Sequence, residues 1–227
     1  MEKGKIIVLD GMDGTGKKTQ SELLFKKLKE RTDKVLLCSF PNYDSDSSYF
    51  VRKFLKEGYC RDIENVPLLH DAFFSIDRCI TYFKDIKEKY EEGYTIILDR
   101  YTISNAIYRM NKADDIVSYI MDLANMEHNY LKLPVPYVNI ILYAYPEINI
   151  KLIENRCKNN NCKTDLNENI STQNIAYENI QRLGRAGISK PVLGPIETLI
   201  IHDENGNIYS EEYMNEQIMR IADEIYF

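Results

Sequence analysis

Three short stretches of the sequence concentrate residue types that handle phosphates and planar rings. The first is GMDGTGKKTQ at residues 11–20. Gly11, Met12, Asp13, Gly14, Thr15, Gly16 and Lys17 fit the spacing G-x-x-x-x-G-K, in which loop N–H groups and the positive end of a following helix cradle phosphate. Lys17 would add a point charge across the outer phosphate oxygens. The pattern alone is only suggestive. Its place behind the apolar run KIIVLD (5–10) and ahead of an amphipathic stretch is what the chemistry requires. Lys18 stands where such loops carry a Ser or Thr that ligates Mg²⁺, and an ammonium cannot ligate a cation. Thr19 comes one position late. The expectation is a working phosphate site with weaker protein-side metal ligation, Lys18 lying either on phosphate or on the surface.

The second stretch, YTIILDRY (94–101), puts Asp99 and Arg100 at the end of an apolar strand, the edge where ligands bind in parallel sheets. Asp99 suits water on Mg²⁺, and Arg100 suits a second phosphate. The third, FFSIDR (73–78), sets Phe74 and Arg78 four apart on one helix face. Phe74 can stack on a planar base while Arg78 bonds its edge. Asp13, a carboxylate inside a phosphate loop, needs a partner other than phosphate, and a sugar hydroxyl would serve. Residues 155–174 are Asn-rich and poor in large apolar side chains, reading as a surface loop or as a mobile lid carrying Arg156, Lys158 and Lys163.

These groups need a scaffold. KIIVLD (5–10), KVLLCSF (34–40), YTIILD (94–99), YVNIILYAY (137–145) and ETLIIHD (197–203) read as strands, mostly continuous in apolar residues, as parallel strands buried on both faces are. Helical patterns separate them at 17–31, 47–58, 67–93, after Tyr101 and at 175–187; a last helix spans 210–227, with Ser210 as N-cap. The expected fold is a single α/β domain over 1–227, three-layer α/β/α with a five-stranded parallel sheet and a lid around 155–174. No assignment emerges for the 183–196 region.

The formal charge of −6 argues against nucleic acid as the main partner, and no apolar run approaches the roughly 20 residues of a membrane-spanning helix. Five cysteines (Cys38, Cys60, Cys79, Cys157, Cys162) form neither a disulfide framework nor, with Cys157 and Cys162 five apart, a complete zinc set. The opening MEKGKIIVLDG has no leader pattern, so a cytoplasmic protein with reduced thiols is expected.

Together LDGMDGTGKKTQ, FPNYDS (40–45), FFSIDR, LDRYTISNAIY (98–108) and LPVPYVNIILYAYPE (133–147), with the basic lid, resemble a thymidylate kinase of the P-loop nucleoside monophosphate kinase group. The resemblance covers residues 5 to about 170 and implies a P-loop kinase fold, transfer of the ATP γ-phosphate to dTMP, Mg²⁺ as cofactor and a homodimer. It further implies that Gly11 to Thr19 bind ATP, that Asp13 takes the acceptor 3′-hydroxyl, and that Phe74 and Arg78 hold thymine. Arg100 would hold the acceptor phosphate and Asp99 the metal. Ser104, Asn105 and Tyr108 match the segment lining base and sugar, Asn105 being a less usual occupant, and Phe40-Pro41 match the turn beside the acceptor phosphate. With Gly14 inside the loop, the catalytic cation is expected from the lid, Arg156 before Lys163. Asn42 and Tyr43 depart from a pattern that often offers an arginine there; Arg52 is a substitute. The rival readings are a kinase for another deoxynucleoside monophosphate, a deoxynucleoside kinase, and a nucleotide-binding regulator without catalysis. A nucleoside kinase needs a base after the second strand, and CSFPNYD supplies no acid before Asp44.

Overall fold

Strands covered by helices on both faces need apolar side chains pointing both ways, and the five runs supply them. In the computed structural model, which describes residues 2–59, 67–160, 168–186 and 192–224, they are β1 (Lys5–Gly11), β2 (Val35–Ser39), β3 (Thr95–Asp99), β4 (Val138–Tyr143) and β5 (Ile196–Ile200). All pair in parallel, in the order β2-β3-β1-β4-β5. The helices are α1 (Lys17–Lys29), α2 (Tyr49–Glu57), α3 (Pro67–Thr81), α4 (Lys87–Glu91), α5 (Ile103–Arg109), α6 (Ile116–Ala124), α7 (Pro146–Asn160), α8 (Ile170–Ala186) and α9 (Glu211–Asp223).

Alternate residues of the central strands feed two cores. Ile6, Val8, Ile96, Leu98 and Ile141 pack with Ile103 and Ile107 of α5, Leu123 of α6 and Ile180 of α8. Ile7, Leu9, Ile97, Ile140 and Leu142 pack with Leu24 and Leu28 of α1 and Ile218 of α9. Each such buried side chain contributes about 1.5–3 kcal/mol, so the sheet's centre is its most strongly held part. The three-layer expectation is met, and the register aligns Leu9 and Ser39 on either side of Asp99. The loops leaving β1 and β3 therefore emerge side by side at one sheet edge.

Three local expectations change. The single helix expected over 67–93 is α3 and α4 joined by a π-turn at Tyr82–Ile86. The stretch after Tyr101 holds two helices, α6 starting where the Asp115 carboxylate accepts from the Val117 and Ser118 N–H groups. The Asn-rich segment 155–174 is helical at both ends: 155–160 complete α7 and 170–174 begin α8. Residues 161–167, with Cys162 and Lys163, lie outside the described residues, as do Cys60 and 187–191. Ser210 does cap α9, accepting from the Tyr213 N–H at 3.1 Å. Within the unassigned 183–196 region, Asn139 Nδ2 holds the carbonyls of Leu193 (2.9 Å) and Pro195 (3.2 Å). No described helix is long and apolar enough to cross a membrane.

Candidate active site

The loop after β1 is bent by glycine and tied by its own side chains. Gly11 has φ +125°, and a Cβ there would sit 1.9 Å from the Leu142 carbonyl oxygen on β4. No other residue fits. Gly16 (φ +84°) turns the chain into α1. The Met12 carbonyl accepts from Thr15 Oγ1 at 2.8 Å and from Lys17 Nζ at 2.6 Å, so the lysine folds back beneath the loop. Burial and the neighbouring Arg100 lower the Lys17 ammonium to about 8, against the pull of Asp13, Asp99 and Asp10.

Arg100 leaves β3 with φ +70°, a left-handed backbone that costs a non-glycine residue about 1–3 kcal/mol. The Arg100 N–H donates to the Leu9 carbonyl at 2.9 Å, and its guanidinium pairs with Asp13, with Nη1 3.3 Å from the Gly11 carbonyl oxygen. Tyr108 completes the junction: its hydroxyl donates to Asp13 at 2.9 Å, and its ring lies 5.7 Å from the Arg100 guanidinium carbon. Burial pushes the Asp13 carboxyl up, but Arg100, Lys17 and the Tyr108 and Gln173 donors hold it below the usual carboxylate range. The phenol of Tyr108, buried beside Asp13, is pushed well above its ordinary value and remains a donor.

Asp10, which the sequence reading passed over, organises this turn. Fully buried, it accepts from the N–H groups of Gly11 (2.8 Å) and Tyr101 (3.0 Å) and from Ser104 Oγ (2.7 Å), and Arg100 Nη1 lies 3.5 Å away. The signal was present: LDG and LDR both end a strand with an acid. Ser104 thus commits its hydroxyl to Asp10, although the residue lines the adjoining cavity.

That cavity, ≈ 140 Å³, opens from the Asp13–Arg100 pair. Phe40, Pro41, Phe74, Arg78, Ser104, Asn105 and Tyr108 all line it. Phe74 forms a half-buried wall, its ring 5.1 Å from that of His70. Asn105 is 5% exposed, and its Nδ2 has no hydrogen-bond partner among the described residues. Arg78 is placed differently from the simple expectation of a base-reading guanidinium. Its Nε donates to Glu127 at 3.0 Å and its Nη2 to the same carboxylate, leaving Nη1 3.5 Å from the Tyr101 carbonyl oxygen. Glu127 is fully buried and also accepts from Ser75 (2.8 Å) and Thr102 (2.7 Å). Burial alone would raise this carboxyl, but Arg78 and the two hydroxyls hold it low. Glu127 and the buried cavity residue Arg109 carry no local sequence signature. Arg52 donates instead to the carbonyls of Tyr43 and Ser45 and is not among the cavity's lining residues.

Above the loop a hollow of ≈ 480 Å³ is lined by Asp13, Gly14, Gly16, Lys17, Lys18, Thr19, Asp99, Arg100 and Arg156. Arg156 on α7 is half-buried and paired with Glu168. Asp99 accepts from Ser39 Oγ at 3.4 Å; burial raises its carboxyl, and Lys17 and Arg100 pull against that rise. No cluster of three or more His, Cys, Asp or Glu able to hold a metal exists among the described residues. Of the hollow's two carboxylates Asp13 is paired with Arg100, and Asp99 suits a hard cation that arrives on phosphate oxygens and keeps most of its waters, as Mg²⁺ does. On the other flank of the loop, Gly14, Thr19, Gln20, Ile201 and Tyr209 help line a cavity of ≈ 130 Å³.

Comparison with known proteins bears on the family and the fold. The thymidylate kinase family model matches residues 9–189. The thymidylate kinase of Caldicellulosiruptor saccharolyticus is 30% identical over 164 residues, 72% of this chain and 76% of that one. That of Plasmodium falciparum is 35% identical over 107 residues, 47% of this chain. The chain spans about half the length of the Plasmodium protein (49%) and of a putative thymidylate kinase from Invertebrate iridescent virus 6 (51%). The crystal structure of thymidylate kinase from Ehrlichia chaffeensis superposes with a TM-score of 0.65 at 18% identity, covering 97% of this chain and all of that one. The fold is the P-loop kinase fold.

Proposed function

The chain belongs to the thymidylate kinase family, and from that premise we propose that it transfers the γ-phosphate of ATP to dTMP, giving dTDP and ADP. The observation that carries the reading is the junction of Asp13, Arg100 and Tyr108, which joins the phosphate hollow to a cavity walled by Phe74 and Asn105. Phosphoryl transfer asks little covalent chemistry of a protein; it needs two nucleotides aligned and cations around the moving group.

Loop N–H groups and Lys17 hold the donor phosphates, and the ≈ 130 Å³ cavity beside Thr19 and Tyr209 suits the donor base. The acceptor phosphate meets Arg100, which exchanges part of its pairing with Asp13 for it. Asp13 is then free to accept from the sugar hydroxyl. Phe74 stacks on thymine, and Asn105 Nδ2 and Arg78 Nη1 face its carbonyls. Arg156, released from Glu168, adds positive charge over the transferring group, with the segment around 155–174 as the lid that excludes water. Mg²⁺, when bound, would neutralise phosphate charge, and Asp99 is the residue to hold it.

The reading includes a homodimer. Leu69, Ile76, Ile80 and Phe83 leave a row of apolar side chains exposed along α3 and its π-turn, beside Phe50 of α2, which suits a two-fold helical interface. A cytoplasmic site accords with the free thiols of Cys38 and Cys79.

The test is coupled ADP release with dTMP, dUMP, dGMP, dCMP, UMP and thymidine. Preferred turnover of dTMP supports the assignment. Turnover of thymidine without dTMP, or ATP binding without turnover of any acceptor, overturns it.

A further inference from the structure

We propose that the Lys18 ammonium is a direct ligand of the donor's polyphosphate, so that this chain's grip on its donor depends less on the divalent ion than a loop with a hydroxyl at that position would. The proposal rests on the phosphate-loop reading above and goes beyond it. In loops of this kind the position after the invariant lysine supplies a hydroxyl to Mg²⁺. An ammonium has three donors and no acceptor, so Lys18 withdraws a metal ligand and supplies a phosphate ligand at the same position.

The geometry places it for that task. Lys18 lies in the first turn of the 13-residue α1 and lines both the hollow above the loop and the groove that adjoins it along Asp99 and Arg100. Four cations (Lys17, Lys18, Arg100 and Arg156) face two carboxylates (Asp13 and Asp99) in the hollow, which leaves it formally positive by two charges. The other three cations are engaged: Lys17 with the Met12 carbonyl, Arg100 with Asp13, and Arg156 with Glu168. Lys18 is exposed and makes no ion pair or hydrogen bond with any described residue.

Its position on the helix strengthens the point. A cation in a first turn lies against the positive end of the helix dipole, and α1 has Lys17 and Lys18 there with no acid. An anion seated over the loop offsets both charges and the dipole together. A polyphosphate is the anion that the loop's shape admits.

Isothermal titration with a non-hydrolysable ATP analogue, in EDTA and then in Mg²⁺, tests this with wild type, Lys18→Gln and Lys18→Ser. Wild type should bind in EDTA within about fivefold of its affinity in Mg²⁺. Losing one charge-assisted contact should weaken binding in EDTA by about tenfold or more in both variants. Lys18→Ser, with its hydroxyl restored, should regain affinity when Mg²⁺ is added, and Lys18→Gln should not. Because Lys18 is exposed, unchanged thermal melting confirms intact variants. Wild-type affinity in EDTA for Lys18→Gln overturns the proposal while leaving the kinase reading standing. Absence of binding by wild type in both buffers overturns the phosphate-loop reading itself.

Discussion

Lys17 keeps its charge where burial and Arg100 both oppose it, and this has a measurable consequence. In the free protein its ammonium titrates at about 8, and bound phosphate favours the charged form. Donor binding should therefore take up protons above that value: a sizeable part of one proton at pH 8.5, and almost none at pH 6.5. Titration calorimetry in buffers of different ionisation enthalpy measures it. Zero uptake at pH 8.5 would show that Lys17 does not meet the phosphates. The second residue-scale case is Glu127, whose carboxylate neutralises Arg78 in full burial. Glu127→Gln leaves a buried guanidinium uncompensated and should cost about 3–5 kcal/mol in denaturant unfolding. Because the folded Glu127 carboxyl is held low, its stabilisation is complete above the unfolded carboxyl's ordinary range and is lost as pH falls through the folded value. The variant's stability should accordingly depend less steeply on pH below about 4.5. An unchanged midpoint and slope would remove the pair from the account.

At the scale of elements, the site exists because the tips of β1 and β3 are neighbours in register. Gly11 is the point at which that arrangement is least forgiving, since a side chain would enter the Leu142 carbonyl. Gly11→Ala should separate β1 from β4 locally, abolish donor binding and lower the melting temperature; normal donor affinity would contradict the close approach. β1, β3 and β4 were legible because parallel strands buried on both faces must be written as apolar runs, and the half-buried edge strands β2 and β5 keep part of that pattern. The placement of the glycine loop behind β1, of Asp99-Arg100 at the end of β3 and of Phe74 and Arg78 on one helix beside the cavity was legible because it depends on local spacing, whereas the engagement of Arg78 by Glu127 was not. Glu127 reaches Arg78 across 49 positions from an irregular helical turn with no repeating pattern. The helical ends of 155–174 were hidden by an Asn-rich composition that favours loops in isolation, while Ile153 and Ala176 anchor α7 and α8 in the interior.

For the whole molecule, the claim is that one crevice seats two nucleotides end to end, the donor over the loop after β1 and the acceptor beyond Arg100. The measurement that bears on this most directly is the affinity of a bisubstrate ligand, adenosine and thymidine joined 5′ to 5′ through a chain of phosphates, compared with ADP and dTMP separately. Two sites spanned by one molecule should bind it at least a hundredfold more tightly than the better single nucleotide. Arg100→Ala should remove most of that gain while weakening ADP far less. A linked ligand that binds no better than ADP, or that is indifferent to Arg100, would contradict the shared crevice.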